Sequence, residues 1–179
     1  RGLGDVYKRQ VMGSRGSVIP LFIDQIKAGK PITITDPTMT RFMMTLDDAV
    51  ELVLYAFKNG NDGDLFIQKS PAATVSVLAK ALVELYESNS PVKEIGIRHG
   101  EKMYETLVTK EEMLKAEDQK KYFKVTPDGR DLNYEHYFSK GTVKSTIDEY
   151  NSNNTKLLSI DEMKELLMAL PQIKDEINN

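Results

Sequence analysis

Two arginines in this sequence occupy positions where a guanidinium is suited to bind an anion. Arg41 lies in the short apolar run "TRFMM", just before a predicted helix N-terminus, where unpaired backbone N–H groups favour negative charge. Arg98 follows the predicted strand "EIGI", and ligands collect at strand ends in α/β sheets. Two guanidiniums from separate strand ends would clamp a diphosphate, and Glu101 would accept hydrogen bonds from sugar hydroxyls. This combination suits a nucleotide-sugar.

Two of these side chains also have an ordinary structural interpretation. Arg41 can pair with Asp36 or Asp47, and a surface ion pair of that kind is worth only about 0–1 kcal/mol. Glu101, taken alone, is better explained as a carboxylate in the first turn of a helix. Structural ion pairs are the commoner role of such arginines. The residues by themselves leave both interpretations open.

Several kinds of catalytic and metal site are missing from the sequence. His99 and His136 are far apart and have no metal-ligand spacing, so no metal site is predicted. "GSRG" lacks the third glycine and the strand–turn–helix context of a dinucleotide-binding fingerprint. There is no Tyr-x-x-x-Lys pair and no Ser-His-Asp arrangement. We therefore expect no catalytic residue in this chain and assign no cofactor-binding residue.

Composition and charge narrow the class of protein. The chain has 179 residues, of which 40% are hydrophobic and 28% charged, as in one soluble globular domain or slightly more. A net charge of −3 with scattered basic residues favours neither a nucleic-acid nor a membrane partner. The absence of cysteine excludes a disulfide scaffold and fits a reducing cytoplasm. No apolar run approaches the roughly 20 residues of a membrane span, and no signal peptide is visible.

The first ten residues do not read as part of a fold. Residues 5–10, "DVYKRQ", resemble a translation of the transposase mosaic end that is used to prepare sequencing libraries. We interpret residues 1–10 as an adapter scar that is not native and exclude them from the fold. A natural polar tail is the alternative. On the first interpretation the gene was cut, and we expect an upstream half to be missing.

From Val11 onward, helices and strands alternate. Ser17 is placed to cap a helix over "VIPLFIDQIKA", and short strands are predicted at "PITIT", "RFMM", "LFIQK" and "VKEIGI". Thr45 and Asp48 form a capping box before a second helix. The apolar spacing of that helix predicts a buried face, which consists of Leu46, Ala49, Val50, Val53, Leu54 and Phe57. A third amphipathic helix is marked by Val75, Leu78, Ala79, Leu82 and Leu85.

The last third of the sequence is more polar. Thr109 and Glu112 form a capping box that opens a helix over "KEEMLKAED", and "YFKV" is a short strand. "DLNYEHYF" and "EYNSNNT" are irregular and suggest an extension laid over a neighbouring surface. Ser159 and Glu162 cap a final helix, which Pro171 is expected to end. The fold class is mixed α/β, with too few elements for a complete doubly wound sheet.

Several long stretches resemble one enzyme family. They are "VMGSRGSVIPLFIDQIKAGKPITITDPTMTRFMMTLDDAVELVL", "GDLFIQKSPAATVSVLAKAL", "IRHGEKMYETLVTKEEM" and "RDLNYEHYF…EYNSNNT". They are similar to the C-terminal half of the extended short-chain dehydrogenase/reductases that act on UDP-N-acetylglucosamine. The most similar type is the C5-inverting 4,6-dehydratases of capsule and O-antigen synthesis, often labelled polysaccharide biosynthesis or 4-epimerase-like proteins. The resemblance covers essentially everything after Gln10.

The resemblance implies a fold and a set of substrate contacts. The fold would be the last strands and the substrate-binding subdomain of an extended Rossmann-type protein, followed by a C-terminal extension. The stretch Gly16, Ser17, Val18, Ile19 and Pro20 would run along a bound UDP-sugar. Arg41 would contact the diphosphate, Arg98 would be a second substrate-binding arginine, and Glu101 would lie near the ribose.

The resemblance also implies a division of the chain and a cellular setting. Residues 11–115 would belong to the enzyme core with its substrate-binding subdomain, and residues 116–179 would be an extension that latches an oligomer. We expect a homo-oligomer, a hexamer by resemblance, in the bacterial cytoplasm, with a UDP-sugar as its small-molecule partner and neither nucleic acid nor membrane.

In the intact family, NADP (or NAD) takes a hydride from C4 of the sugar and the resulting ketone acidifies the C5 proton. Water is lost across C5 and C6, the hydride returns to C6, and C5 is reprotonated on the other face, which yields a UDP-4-keto-6-deoxy sugar. The cofactor site would lie mostly in the missing half, together with a Tyr- or Met-x-x-x-Lys pair. The family also carries a substrate-contacting asparagine where Gln10 stands here, a departure that agrees with a scar.

Three functions remain open at this level. The favoured one is the substrate-binding half of a UDP-N-acetylglucosamine 4,6-dehydratase, which would be inactive alone. The second is a UDP-sugar 4-epimerase with the same substrate contacts. The third is a free-standing nucleotide-sugar-binding module without catalysis. This module would need a start codon near residue 1 and stable folding alone, although its early strands would expose their edges.

Overall fold

The structure, a computed structural model, describes residues 11–14, 17–127 and 149–177. Six helices occur in these residues: α1 (Val18–Lys27), α2 (Leu46–Asn59), α3 (Val75–Leu85), α4 (Lys110–Met113), α5 (Ile160–Met168) and α6 (Pro171–Ile177). The strands are β1 (Ile32–Ile34), β2 (Thr40–Phe42), β3 (Leu65–Gln68), β4 (Ala72–Thr74), β5 (Val92–Glu94), β6 (Thr106–Val108), β7 (Ala116–Gln119), β8 (Tyr122–Val125) and β9 (Tyr150–Asn151). The mixed α/β class is as predicted. The proposed scar at residues 1–10, Gly16 and the segment "DLNYEHYF" lie outside the described residues.

The strands are short and form small separate sheets. Within the described residues the sheet orders are β3–β8–β7, β1–β5, β2–β4 and β6–β9. The chain divides into two compact units, each built from separate stretches of sequence. The described part of the first unit comprises Val50–Lys69 and residues 106–127 and 149–150. The second comprises residues 11–14 and 17–49, Ser70–Glu105 and residues 151–177.

An antiparallel sheet and aromatic packing organise the first unit. β8 lies in the middle of the sheet, with Leu65 and Ala116 both opposite Val125. The ring of Tyr55 on α2 stacks on Tyr122, with centroids 4.1 Å apart, and meets Phe66 edge to face. Burial of aromatic rings in offset or edge-to-face contact is a large apolar contribution to such a small unit. These contacts fix which side of α2 faces the sheet.

The buried face predicted for α2 is wrong. Leu46, Val50, Leu54 and Phe57 are 50–64% exposed, and Ala49 and Val53 are only partly buried. Leu52, 2% exposed, packs with Phe66 and Tyr122 instead. Helical periodicity identifies an apolar stripe but not the neighbours available to cover it. Here Tyr55 lies on the side of α2 that faces the sheet, and most of the predicted apolar stripe is exposed.

The second unit has the larger core. It contains the parallel pair β1–β5 and the antiparallel pair β2–β4, and α1, α3, α5 and α6 pack with β1 in one core, whereas all of β5 is exposed. The most deeply buried core side chains come from these helices and from β1, and they are Phe22, Ile32, Leu78, Leu82, Met163, Leu167 and Ile173. The predicted buried face of α3 is confirmed, with Leu85 only partly buried. Burial of each such side chain stabilises the fold by about 1.5–3 kcal/mol.

Glu176 on α6 joins three helices of this unit. Its carboxylate accepts a 2.7 Å hydrogen bond from the Tyr86 hydroxyl, which follows α3, and lies 2.9 Å from the Lys27 ammonium on α1. Burial, reinforced by the Glu176 charge, raises the pKa of Tyr86 far above its ordinary value. Tyr86 therefore stays protonated and acts as a hydrogen-bond donor.

Some helix ends lie where the sequence predicted them, and others do not. The capping boxes Thr109–Glu112 and Ser159–Glu162 both form. The helix expected over "KEEMLKAED" is limited to the single turn of α4, and its second half forms β7 by pairing with β8. Pro171 does not end the chain's last helix: α5 ends at Met168, and Pro171 begins α6. Proline is tolerated at a first helical position because its missing N–H would have no partner there.

A buried ion pair in the first unit gives a pH-dependent prediction. Asp64 accepts a 2.7 Å hydrogen bond from the Asn61 N–H and lies 2.9 Å from the Lys124 ammonium, with side chains 3% and 12% exposed. Burial alone would raise the pKa of Asp64, but these hydrogen bonds and the lysine charge outweigh burial and lower it. The stabilisation is therefore full above about pH 4, the unfolded value, and is lost as pH falls through the lower folded pKa.

We expect Asp64→Asn to lower the free energy of unfolding at pH 7 by about 3 kcal/mol, because Lys124 is left buried without its counter-charge. The variant should also lose less stability than the wild type on acidification from about pH 5 to pH 2. Urea unfolding of the chain at several pH values measures both effects. Asp62→Asn, at an exposed neighbouring carboxylate, is the control and should resemble the wild type. Equal pH profiles for Asp64→Asn and the wild type would contradict the prediction.

Candidate functional site

Arg41 is the one residue of the stretch 39–44 that is not buried. Strand alternation turns Thr40 and Phe42 inward and leaves the Arg41 side chain 26% exposed. Its Nη1 donates to the Thr40 carbonyl at 2.7 Å, and its Nη2 donates to Sδ of Met39 at 2.8 Å. The head group is therefore held close to its own strand and in partly apolar surroundings.

Within the described part of the chain, the carboxylate that pairs with Arg41 is that of Glu105. Its Oε1 lies 3.7 Å from Nε of Arg41, which is an ion pair but is longer than the about 2.7–2.9 Å of a charge-assisted hydrogen bond. Neither carboxylate considered from the sequence is the partner. Asp36 accepts hydrogen bonds from the N–H and hydroxyl of Thr38, and the Thr38 hydroxyl is the main cause of its lowered pKa. Arg41 thus has partial charge compensation and keeps donor capacity for a further anion.

Backbone hydrogen bonds bring other predicted substrate segments to the strand of Arg41. The N–H of Thr40 donates to the carbonyl of Met103 at 2.9 Å, which brings the end of "RHGEKMYE" beside β2. The N–H of Met12 donates to the carbonyl of Met44 at 3.0 Å, which brings the segment before α1 to the other end of the same stretch. Three segments that are distant in sequence therefore meet around residues 40–44.

Arg98 and Glu101 lie in one exposed turn, and because β5 ends at Glu94, Arg98 does not occupy the strand end that the sequence predicted. The Arg98 N–H donates to Oε2 of Glu101 at 3.2 Å, and the Glu101 N–H donates to the Arg98 carbonyl at 3.1 Å. Gly100 in this turn has φ +89°, in the left-handed region that favours glycine. Among the described residues the Arg98 guanidinium forms no ion pair, and no hydrogen bond links Arg98 or Glu101 to Arg41. The predicted role of Glu101 near a ribose stays a prediction, since here its carboxylate braces the turn.

The segment from Ser17 to Pro20 begins α1. Ser17 has the predicted N-cap position, but its side chain makes no capping hydrogen bond. Its Oγ is buried without a partner among the described residues. Val18 is partly buried and packs against the core. Ile19 is 3% exposed and belongs to the core, so its side chain anchors the start of α1 there. Their predicted contact with a UDP-sugar stays a prediction.

A small pocket adjoins this segment. It has a volume of about 90 Å³, and Ile19, Pro20 and Glu176 are among the residues that line it. Sites for small organic ligands are usually about 300–1,000 Å³. This pocket is therefore too small for a nucleotide-sugar or a dinucleotide. In the described ranges, no group of three or more His, Asp or Glu side chains could hold a metal ion.

Two residues near Arg41 were missed by the sequence analysis. Ser152, within the stretch read as irregular, is fully buried and hydrogen-bonded to the strand that carries Arg41. Glu105 was not considered as the partner of Arg41. The only local signal was the run "NSNN", which is typical of turns in which asparagine side chains bind the backbone. Nothing in the sequence indicated that this run contacts Thr40, which is more than 100 residues away.

None of the helices in the described residues is both long and apolar enough to cross a membrane. The predicted absence of a membrane partner is not tested by that observation.

Comparisons with known proteins identify the family of the chain. Residues 8–127 match the family described as polysaccharide biosynthesis protein, and residues 128–174 match the family described as polysaccharide biosynthesis protein C-terminal. The chain is 56% identical over 170 residues to proteins named UDP-glucose 4-epimerase from Rickettsia rickettsii and Rickettsia conorii. The alignment covers 94% of this chain and 50% of each relative, so the chain spans about half their length.

A solved structure is also similar, the X-ray structure of Pen from Bacillus thuringiensis. It superposes with a TM-score of 0.75 at 37% sequence identity, covering 92% of this chain and 48% of Pen. The extended dehydrogenase/reductase resemblance is thus confirmed at the level of family and fold class. The chain belongs to the polysaccharide biosynthesis protein family.

Proposed function

We propose that this chain supplies the substrate-binding surface of an enzyme that modifies a UDP-sugar, with Arg41 bound to the diphosphate. The observation that carries the proposal is the setting of Arg41. Its guanidinium is partly buried, and its nearest carboxylate, Glu105, is too distant for a hydrogen bond. A diphosphate oxygen would supply the short charge-assisted contact that Glu105 does not make.

The surroundings of Arg41 strengthen such a contact. Met39, Phe42 and Met43 are 2–6% exposed, so the strand around the guanidinium is largely apolar. An ionic contact gains strength as the local dielectric constant falls. Since the head group remains partly exposed, it avoids the full desolvation cost of a buried charge. This is a favourable position for binding an anion that is delivered from solution.

For the reaction, we propose 4,6-dehydration of UDP-N-acetylglucosamine with inversion at C5, within capsule or O-antigen synthesis. A UDP-sugar 4-epimerase is the second candidate, favoured by the names of the Rickettsia relatives. Both would use the same contacts to the UDP group. The distinction between them depends on groups around the sugar, beyond the residues that bind the diphosphate.

A nicotinamide cofactor, NADP or NAD, is part of this proposal, but the described residues do not fit one. They contain no Gly-rich strand–turn–helix element, and the pocket beside α1 is too small. We therefore assign no cofactor contact to this chain. The cofactor would be held by the part of a longer protein that this chain does not span.

Substitution of Arg41 tests the proposed diphosphate contact. We expect Arg41→Ala to weaken UDP binding by about ten- to a hundredfold, the effect of losing a hydrogen bond to a charged group. Arg41→Lys should give an intermediate loss, because lysine keeps the charge but not the planar fork. Isothermal titration of the chain with UDP measures both. Lys80→Ala, at an exposed lysine of α3, is the charge-matched control. An unchanged dissociation constant for Arg41→Ala would refute the contact.

Arg98 gives a separate prediction, because its side chain has no structural partner to lose among the described residues. Arg98→Ala should leave the free energy of unfolding within about 0.5 kcal/mol of the wild type. It should nevertheless weaken UDP binding by about tenfold. Thermal unfolding and titration with UDP, performed on the same samples, separate the two effects. A variant that binds UDP as tightly as the wild type would remove Arg98 from the site.

Product mass distinguishes the two reactions. A longer protein that contains this chain is incubated with UDP-N-acetylglucosamine and NADP, and the products are analysed by mass spectrometry. Dehydration predicts a product lighter by one water, whereas 4-epimerisation predicts an isomer of unchanged mass. Appearance of the isomer alone would replace the dehydratase proposal by the epimerase.

A further inference from the structure

Ser152 lies at a meeting point of hydrogen bonds in the core of the second unit. Its Oγ is 2.7 Å from the hydroxyl of Thr40 and 3.2 Å from the carbonyl of Thr40. The N–H of Glu105 also donates to this Oγ, at 2.9 Å. Ser152 is 0% exposed and Thr40 is 2% exposed, so water does not compete for these contacts.

The hydrogen-bonding capacity of a serine hydroxyl accounts for all three contacts. A hydroxyl has one donor hydrogen and two acceptor lone pairs. Ser152 donates to the Thr40 carbonyl and accepts from the Glu105 N–H and the Thr40 hydroxyl. The backbone N–H of Ser152 adds a fourth bond, to the Glu105 carbonyl at 2.9 Å. The side chain is fully used, and no smaller apolar residue could reproduce this arrangement.

The two residues that Ser152 holds are two of the three partners of the Arg41 guanidinium among the described residues, the third being Sδ of Met39. The Thr40 carbonyl accepts from Nη1 of Arg41, and the Glu105 carboxylate is its ion-pair partner. We infer that Ser152 is a positioning residue for Arg41, which fixes Thr40 and Glu105 so that the guanidinium keeps one orientation. This inference rests on the proposed function in so far as the orientation serves a diphosphate.

The segment that carries Ser152 is itself braced. The side chain of Asn151 accepts from the N–H groups of Asn153 and Asn154, and the side chain of Asn154 accepts from the N–H of Asn151. Thr155 then donates to the Ser70 carbonyl. Ser152 is thus presented from a tight turn rather than a loose loop. A fixed arginine loses less side-chain entropy on binding an anion than a free one, which favours affinity.

The test compares two substitutions in the same turn. Ser152→Ala removes the hydroxyl beside Arg41, and Thr155→Val removes a hydroxyl that bonds to Ser70, away from Arg41. We expect Ser152→Ala to weaken binding of UDP to the chain by about three- to tenfold. Thr155→Val should lower the melting temperature without changing the UDP affinity. Ser152→Thr, which keeps the hydroxyl, should restore most of the affinity.

A double-mutant cycle separates positioning from a general loss of structure. In the Arg41→Ala background, Ser152→Ala should have no further effect on UDP affinity, because there is no guanidinium left to orient. An equal loss in both backgrounds would overturn the inference. Wild-type affinity in a folded Ser152→Ala variant would overturn it as well.

The Nε–H resonance of Arg41, recorded by NMR without ligand, tests positioning independently of UDP. We expect Ser152→Ala to shift or broaden this resonance and Thr155→Val to leave it unchanged. If the resonance changes but wild-type chain does not bind UDP, the proposed function fails and the positioning role stands. If Ser152→Ala does not fold, Ser152→Cys replaces it, because a thiol weakens all three hydrogen bonds of the hydroxyl, and an unchanged Arg41 resonance in that variant would overturn the inference.

Discussion

A buried main chain must find a hydrogen-bond partner for each of its polar groups, and the stretch 39–44 is buried except at Arg41. Its partners come from several distant parts of the sequence. β4 pairs along β2, and the carbonyls of Met103 and Pro71 accept from the N–H groups of Thr40 and Met43. The carbonyl of Met44 accepts from Met12. This single requirement gathers three distant segments around Arg41.

The same requirement explains the setting of Arg41. A short strand with hydrogen bonds on both sides has little freedom to move. The backbone that carries the Arg41 side chain is therefore fixed in position. Glu105 is close enough to lower the electrostatic cost of the guanidinium and too far to occupy its N–H groups fully. The chain thus stabilises a cation while leaving it able to bind a second anion.

Local signals in the sequence predicted much of the fold. Capping boxes and apolar spacing placed the starts of α4 and α5 and the core face of α3, because those features depend on residues within one or two turns. The strand of Arg41 was also located from the sequence, because such features are properties of short stretches. The position of Arg98 was not: β5 ends at Glu94, so Arg98 lies in a turn beyond the strand end that was expected.

The failures involve partners that are distant in sequence. The inner face of α2 was decided by Tyr122 and Phe66 on the neighbouring sheet, which helical periodicity does not register. The second half of the helix expected after Thr109 became β7 because β8 was available to pair with it. Glu105 and Ser152 were missed for the same reason. The role of each is defined by Arg41 and Thr40 across the fold, not by its own neighbours.

The bond between Thr40 and Ser152 spans 112 residues. At roughly 5–20 residues per second, a ribosome needs on the order of ten seconds to make the intervening chain. Closing so long a loop costs only slightly more entropy than closing a short one, but contacts of this range form late in folding. During synthesis, Thr40 is therefore made well before Ser152, its buried hydrogen-bond partner. In a nascent chain, the hydrogen bonds that hold the strand of Arg41 are therefore complete only after the segment around Ser152 has left the ribosome.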